Sequence, residues 1–178
     1  MTEISVRLLG EDDWEQFKAV RLEALRESPE AFSATLADES AFPDSAWRER
    51  MVRSQRLVAD ARGAVVGTAS LGRYAVPEGE EDNTGEVFGL WVSPPARGTG
   101  VATALARAAA YRAQQDGRSH LVYWVSTDNG RAVAFASGLG FRPTDSRRPM
   151  RGVGHAGQEE IAMVLPLGSD HGLAPDFR

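Results

Sequence analysis

The segment from Glu86 to Leu105 constrains this chain more than any other. Val87, Phe88, Leu90, Trp91 and Val92 leave no polar face, which predicts a strand covered on both sides and therefore central in its sheet. Pro94-Pro95 ends that strand, and Arg97-Gly98-Thr99-Gly100 leads directly into Val101–Ala113, where seven alanines and Leu105 predict a helix. A covered strand, a glycine turn and a helix in direct succession require a sheet with helices packed on it.

The rest of the chain fills in that architecture. Ile4 to Leu9 is apolar enough for a first strand, and Asp12 and Asp13 suit a helix N-terminus. Trp14, Phe17, Arg21, Ala24 and Leu25 then fall on one helical face. Pro43-Asp44-Ser45 opens a second helix to about Ser54. Leu57–Ala61 and Ala64–Tyr74 read as a hairpin turning at Gly63, followed by an acidic loop with Glu78, Glu80, Glu81 and Asp82. Leu121–Val125 is a further strand. Asp128-Asn129 cap a helix that Gly138 and Gly140 end, and Glu160–Leu165 is the last strand. The expected organisation is one mixed α/β domain over residues 1–167 and a polar tail over 168–178.

Composition enters as exclusions. The 178 residues carry 20 basic and 25 acidic side chains, a net charge of −5, which argues against nucleic acid as a partner. No apolar run approaches the roughly 18 residues that span a bilayer, and Met1-Thr2-Glu3-Ile4 does not resemble a secretory leader. The expected location is cytoplasmic, with no membrane partner. The absence of cysteine removes thiol nucleophiles and Cys-ligated metals. His120, His155 and His171 are dispersed and form no ligand pair, so no metal site is expected.

The glycine turn has the chemistry of an anion site. Glycines let backbone N–H groups face a ligand, a helix N-terminus supplies unpaired donors and the positive end of its dipole, and Arg97 adds a charge. Two nucleotide motifs are excluded: no Lys-Ser/Thr follows Gly100, and the third glycine of the dinucleotide fingerprint is missing from Val101-Ala102-Thr103.

Leu90-Trp91-Val92-Ser93-Pro94 with Arg97-Gly98-Thr99-Gly100-Val101-Ala102 resembles the acyl-CoA signature of the GNAT superfamily of N-acetyltransferases, Gln/Arg-x-x-Gly-x-Gly/Ala. Asn129-x-x-Ala132 and Leu139-Gly140-Phe141 resemble a second family segment. The resemblance implies a mostly antiparallel central sheet with a splayed parallel strand pair, flanked by helices. It implies acetyl-CoA as cosubstrate. Leu90, Trp91 and Val92 would pair with the pantetheine, and Arg97, Gly98, Thr99, Gly100, Val101, Ala102 and Thr103 would hold the pyrophosphate. Asn129 would contact the pantetheine or acyl end, and Phe135 would pack on the cofactor. It also allows a homodimer.

Acetyl transfer to an amine requires a base, a polarised carbonyl and protonation of the leaving thiolate. Glu86 matches the family's glutamate near the start of this strand, and burial beside a central strand would raise its pKa toward that of a working base. A backbone N–H at or near Val92 would meet the oxyanion. The usual tyrosine seven residues after the asparagine is Ala136 here. Ser137, Ser126, Tyr123 or water remains for the acid role. Without cysteine no acetyl-cysteine can form, so direct transfer in a ternary complex is the simplest route. The expected activity is N-acetylation of a primary amine on a small molecule or peptide. The alternative, kept open by Ala136, is an acyl-CoA-binding sensor without turnover.

The acceptor side gives opposing signs. Phe32, Phe42 and Trp47 are aromatic but expected in the core more than in a pocket. The acidic loop would attract a cation, whereas Arg147, Arg148 and Arg151 would attract an anion.

Overall fold

Strand Thr84–Val92 (β4) stands at the middle of a seven-stranded sheet. The computed structural model of the protein describes residues 3–73, 83–152 and 154–168. The acidic loop, Tyr74, His171 and all of the tail beyond Gly168 lie outside them.

The remaining strands are β1 (Ile4–Leu8), β2 (Gln55–Ala61), β3 (Ala64–Arg73), β5 (His120–Ser126), β6 (Arg142–Pro149) and β7 (Glu159–Pro166). Their order is β1-β2-β3-β4-β5-β7-β6, and only β4 and β5 run parallel. The helices are α1 (Trp14–Glu27), α2 (Leu36–Ser40), α3 (Asp44–Arg53), α4 (Val101–Gln115) and α5 (Gly130–Gly138). This is the expected mixed α/β arrangement with a parallel pair in an otherwise antiparallel sheet. The β2–β3 hairpin turns through Arg62 (φ 51°) and Gly63 (φ 76°), both left-handed, as a two-residue connection requires.

Two cores lie on opposite faces of the sheet. On one, α4 buries Val101, Leu105, Ala106, Ala109, Ala110 and Ala113. Their spacing makes one stripe, and the alanines let the helix lie close to the sheet. Leu90 and Val92 pack toward this side. On the other face Phe17, Val20, Ala24, Trp47, Met51, Val58 and Trp91 form the second core. Phe17 and Trp47 meet edge to face with centroids 5.9 Å apart. The alternation of Leu90, Trp91 and Val92 between two cores is why the strand has no polar face.

Two elements were not expected. β6 is an edge strand whose residues are almost all exposed, with prolines at 143 and 149. Neither face is covered, so no apolar alternation marks it. The five-residue α2 is capped by Thr35 Oγ1, which accepts from Asp38 N at 3.1 Å.

Candidate active site

The parallel pairing of β4 with β5 runs from Thr84↔His120 to Val87↔Tyr123 and ends there. Beyond it β5 pairs with β7 alone, out to Ser126. The cause lies in β4. Gly89 takes φ +63°, a conformation glycine adopts without strain, and between Thr68↔Trp91 and Ser70↔Phe88 the register against β3 shifts. Two β4 residues, Gly89 and Leu90, therefore face one on β3, a bulge that bends the strand away from β5. Among the described residues, the edge of β4 from Phe88 to Val92 has no strand partner on the β5 side. Leu90, Trp91 and Val92, expected to pair with pantetheine, all lie on this edge, where an extended ligand can add as a strand.

The glycine loop follows at the same end of the sheet. Gly98 (φ 77°) and Gly100 (φ 96°) are both left-handed, and an added Cβ at either would touch nothing within 4 Å, so backbone conformation rather than crowding calls for glycine. Gly100 is the N-cap of α4, and no side chain caps the helix. The first-turn N–H groups of Val101, Ala102 and Thr103 are thus left for an anion. Thr99 Oγ1 donates to the Ala96 carbonyl at 2.5 Å and tightens the loop.

Arg97, expected at the pyrophosphate, makes hydrogen bonds within the protein. Its Nε donates to the Val92 carbonyl at 3.0 Å, and its Nη2 donates to Glu27 Oε2 at 2.7 Å. The side chain is a strut between the end of β4 and the end of α1. Trp91 Nε1 and Ser28 Oγ donate to the same Glu27 oxygen. These donors, Ser28 first, hold the Glu27 carboxyl below the usual carboxylate range.

Glu86 lines a cavity of about 430 Å3 together with Arg21, Phe32, Tyr123, Arg148 and Glu160. Burial pushes the Glu86 carboxyl up from its ordinary range, opposed by the Arg148 charge and assisted by that of Glu160. Arg148 Nε donates to Glu160 Oε2 at 2.8 Å, and its guanidinium lies 4.1 Å from the centroid of the Trp124 ring. Tyr123 is pushed up to about 12, chiefly by burial, so its hydroxyl keeps its proton. The three side-chain candidates for the acid thus separate: Tyr123 shares this cavity with Glu86, whereas Ser126 and Ser137 do not line it. Ala136 is fully buried in the α4-side core.

Asn129 caps α5, its Oδ1 accepting from Ala132 N at 3.1 Å, and Phe135 lies half-buried on that helix. Both follow β5, across the gap from Leu90–Val92, and neither lines the cavity of Glu86. Phe32 lines that cavity, whereas Trp47 is core. Sequence reasoning missed Arg21, Glu27 and Glu160. Only Arg21 carried a signal, as a charge on the apolar face of its helix.

A model of the Acetyltransferase (GNAT) family matches residues 17–141. The chain belongs to this family. Among curated GNAT relatives, the mycothiol acetyltransferase of Renibacterium salmoninarum is 29% identical over 146 residues, 82% of this chain and 42% of that protein. That of a Parafrankia species is 31% identical over 156 residues, 79% of this chain and 48% of that protein. The chain spans less than half the length of either. Among solved GNAT-fold structures, yncA from Salmonella typhimurium with its cofactor acetyl-CoA superposes with a TM-score of 0.71 at 22% identity, over 95% of this chain and 96% of that one. The ribosomal-protein-alanine N-acetyltransferase of Brucella melitensis gives 0.72 at 22% identity, over 92% and 99%. No helix among the described residues is long and apolar enough to cross a membrane.

Proposed function

We propose that this GNAT chain transfers an acetyl group from acetyl-CoA to a primary amine of a small molecule or peptide, directly and without an acyl-enzyme. One observation carries the reading: the gap between β4 and β5 opens at the end of the sheet where the uncapped α4 helix begins, and Glu86 and Tyr123 stand where the gap starts. The cosubstrate supplies an acetyl group activated as a thioester. The free edge of Leu90, Trp91 and Val92 and the donors from Gly98 to Thr103 fit its extended amide arm and its pyrophosphate. Asn129 and Phe135 border it from α5.

Glu86 accepts the proton of the acceptor ammonium, and its raised pKa brings it nearer to the strength that task needs. Tyr123 donates a proton to the departing thiolate. A backbone N–H on the bulged part of β4 stabilises developing negative charge on the acyl oxygen. The mycothiol acetyltransferase relatives support acetyl transfer, and a mycothiol-related amine belongs among the acceptors tried. Residues 1–167 form one such domain in this reading.

The test is thiol release from acetyl-CoA across an amine panel, beside thermal shift with CoA. Acceptor-dependent release supports the proposal. Stabilisation by CoA without release from any amine replaces it with the sensor reading.

A further inference from the structure

A second cavity of about 250 Å3 adjoins that of Glu86, sharing Arg21, Phe88 and Gly89 with it. At ~30 Å3 per water it has room for on the order of eight waters. Four arginines line it, Arg21, Arg50, Arg53 and Arg56, and among the described residues no carboxylate does. Behind the lining Glu39, 1% exposed, pairs with both Arg21 and Arg50, and Arg53 pairs with the exposed Glu49 at 2.7 Å. Two carboxylates thus answer four guanidiniums.

Arg56 is met by aromatic rings rather than by a carboxylate, its guanidinium lying 4.5 Å from the Phe17 ring centroid and 5.5 Å from that of Phe88. It is 6% exposed and makes no ion pair among the described residues. Its Nη1 donates to Ser70 Oγ at 2.7 Å, its Nη2 donates to the Arg50 carbonyl at 3.1 Å, and its buried Nε has no partner. Such a group is costly unless something polar meets it. Burial and the charges of Arg50, Arg21 and Arg53 lower Arg56 to about 10, with Glu39 opposing, so it remains a cation at neutral pH. A planar guanidinium whose charge no carboxylate pairs matches an oxyanion.

We propose that the acceptor amine carries an oxyanion, a carboxylate or a phosphate, which seats in this arginine-lined cavity against Arg56 while its amine reaches Glu86 across Arg21, Phe88 and Gly89. This rests on the acetyltransferase reading and narrows its acceptor class.

The experiment compares three primary amines of matched length ending in a carboxylate, a phosphate or a hydroxyl, in wild type and in Arg56→Gln and Arg53→Gln. Wild type should show kcat/KM for at least one anionic acceptor about tenfold or more above the hydroxyl analogue. Which one gains identifies the oxyanion. Both substitutions should shrink that ratio, which loss of fold alone would not do because it lowers both rates together. Arg53 is 68% exposed at its side chain, so its variant tests the idea even where Arg56→Gln does not fold. Independently, acetate and inorganic phosphate should raise Tm in wild type and less in either variant, which separates this cavity from the α4 loop. Thiol release with equal kcat/KM for all three amines overturns the proposal and leaves acetyl transfer standing. Arginine-dependent stabilisation by acetate with no thiol release from any amine overturns both the acceptor assignment and acetyl transfer, leaving an anion site alone.

Discussion

Arg97 Nη2 lies 2.7 Å from Glu27 Oε2, which binds the glycine loop to the last residue of α1. Trp91 donates to the same oxygen at 2.9 Å, so loop, helix and central strand meet at one carboxylate. If Arg97 acts through this strut, Glu27→Ala and Arg97→Ala should both weaken acetyl-CoA binding. The double variant should be no weaker than the worse single one, since each breaks the same linkage. Calorimetric Kd values for the four proteins decide it. Tighter binding in Glu27→Ala would mean instead that a released Arg97 reaches the phosphates. The depressed Glu27 pKa adds a pH signature: its contribution is present above the ordinary carboxylate range and is lost as pH falls through the lowered value.

Glu86→Gln should lower kcat/KM by on the order of 10²-fold or more at neutral pH and by less at high pH, where the free amine is abundant without a base. The raised Glu86 pKa places the acidic limb of the wild-type profile above the ordinary carboxylate range, and the variant should lose that limb. Stability should move the other way. A carboxyl whose folded pKa exceeds its unfolded one binds its proton more tightly in the native state, so native stability falls as pH rises through that interval. The amide removes this loss, and Tm near pH 8 should rise. An equal rate loss across the pH range would argue against Glu86 as the base.

Tyr123→Phe should lower kcat by on the order of 10²-fold while leaving the acetyl-CoA Kd close to wild type. Because the hydroxyl is pushed up to about 12, no alkaline limb from Tyr123 should fall within the usual assay range. Turnover at the wild-type rate would assign thiolate protonation to solvent.

The parts of this design written in consecutive residues were legible. The β4 strand, the glycine loop and α4 declare themselves through apolar density, paired glycines and helix propensity. The parts that depend on distant residues were not. The pairing of Arg97 with Glu27 was hidden because nothing local reveals that Glu27 waits at the end of another helix. Arg21 sat on an apolar helical face, and only Glu39 and Arg50, folded against it, explain why a charge belongs there. The bulge was hidden because Gly89 inside a strand reads as a weak strand residue until its φ is known. β6 has two exposed faces and so no pattern to read.

The β6–β7 connection borders the cavity of Glu86 through Met150 and Arg151, and one glycine tests whether it shapes the acceptor side. Gly152 takes φ +104°, and a Cβ there would lie 2.5 Å from the Ser33 carbonyl oxygen and 2.9 Å from its Cα. Both are backbone atoms that no side-chain rotation can move aside. The contact is reinforced by His155, 5% exposed, whose Nε2 donates to the Phe32 carbonyl at 3.1 Å and whose Nδ1 lies 2.9 Å from the Gln158 side chain. Phe32 and Ser33 from one side, and Met150 and Arg151 from the other, line the cavity of Glu86. Gly152→Ala must therefore push the connection away from the α1–α2 segment and widen the acceptor side, while the α4 loop and the free edge of β4 keep their shape. The KM for the acceptor should rise about tenfold or more, as misplacement of a bound reactant does. The acetyl-CoA Kd should stay near wild type. Parallel loss of both affinities would show that the connection supports the whole site rather than the acceptor side alone.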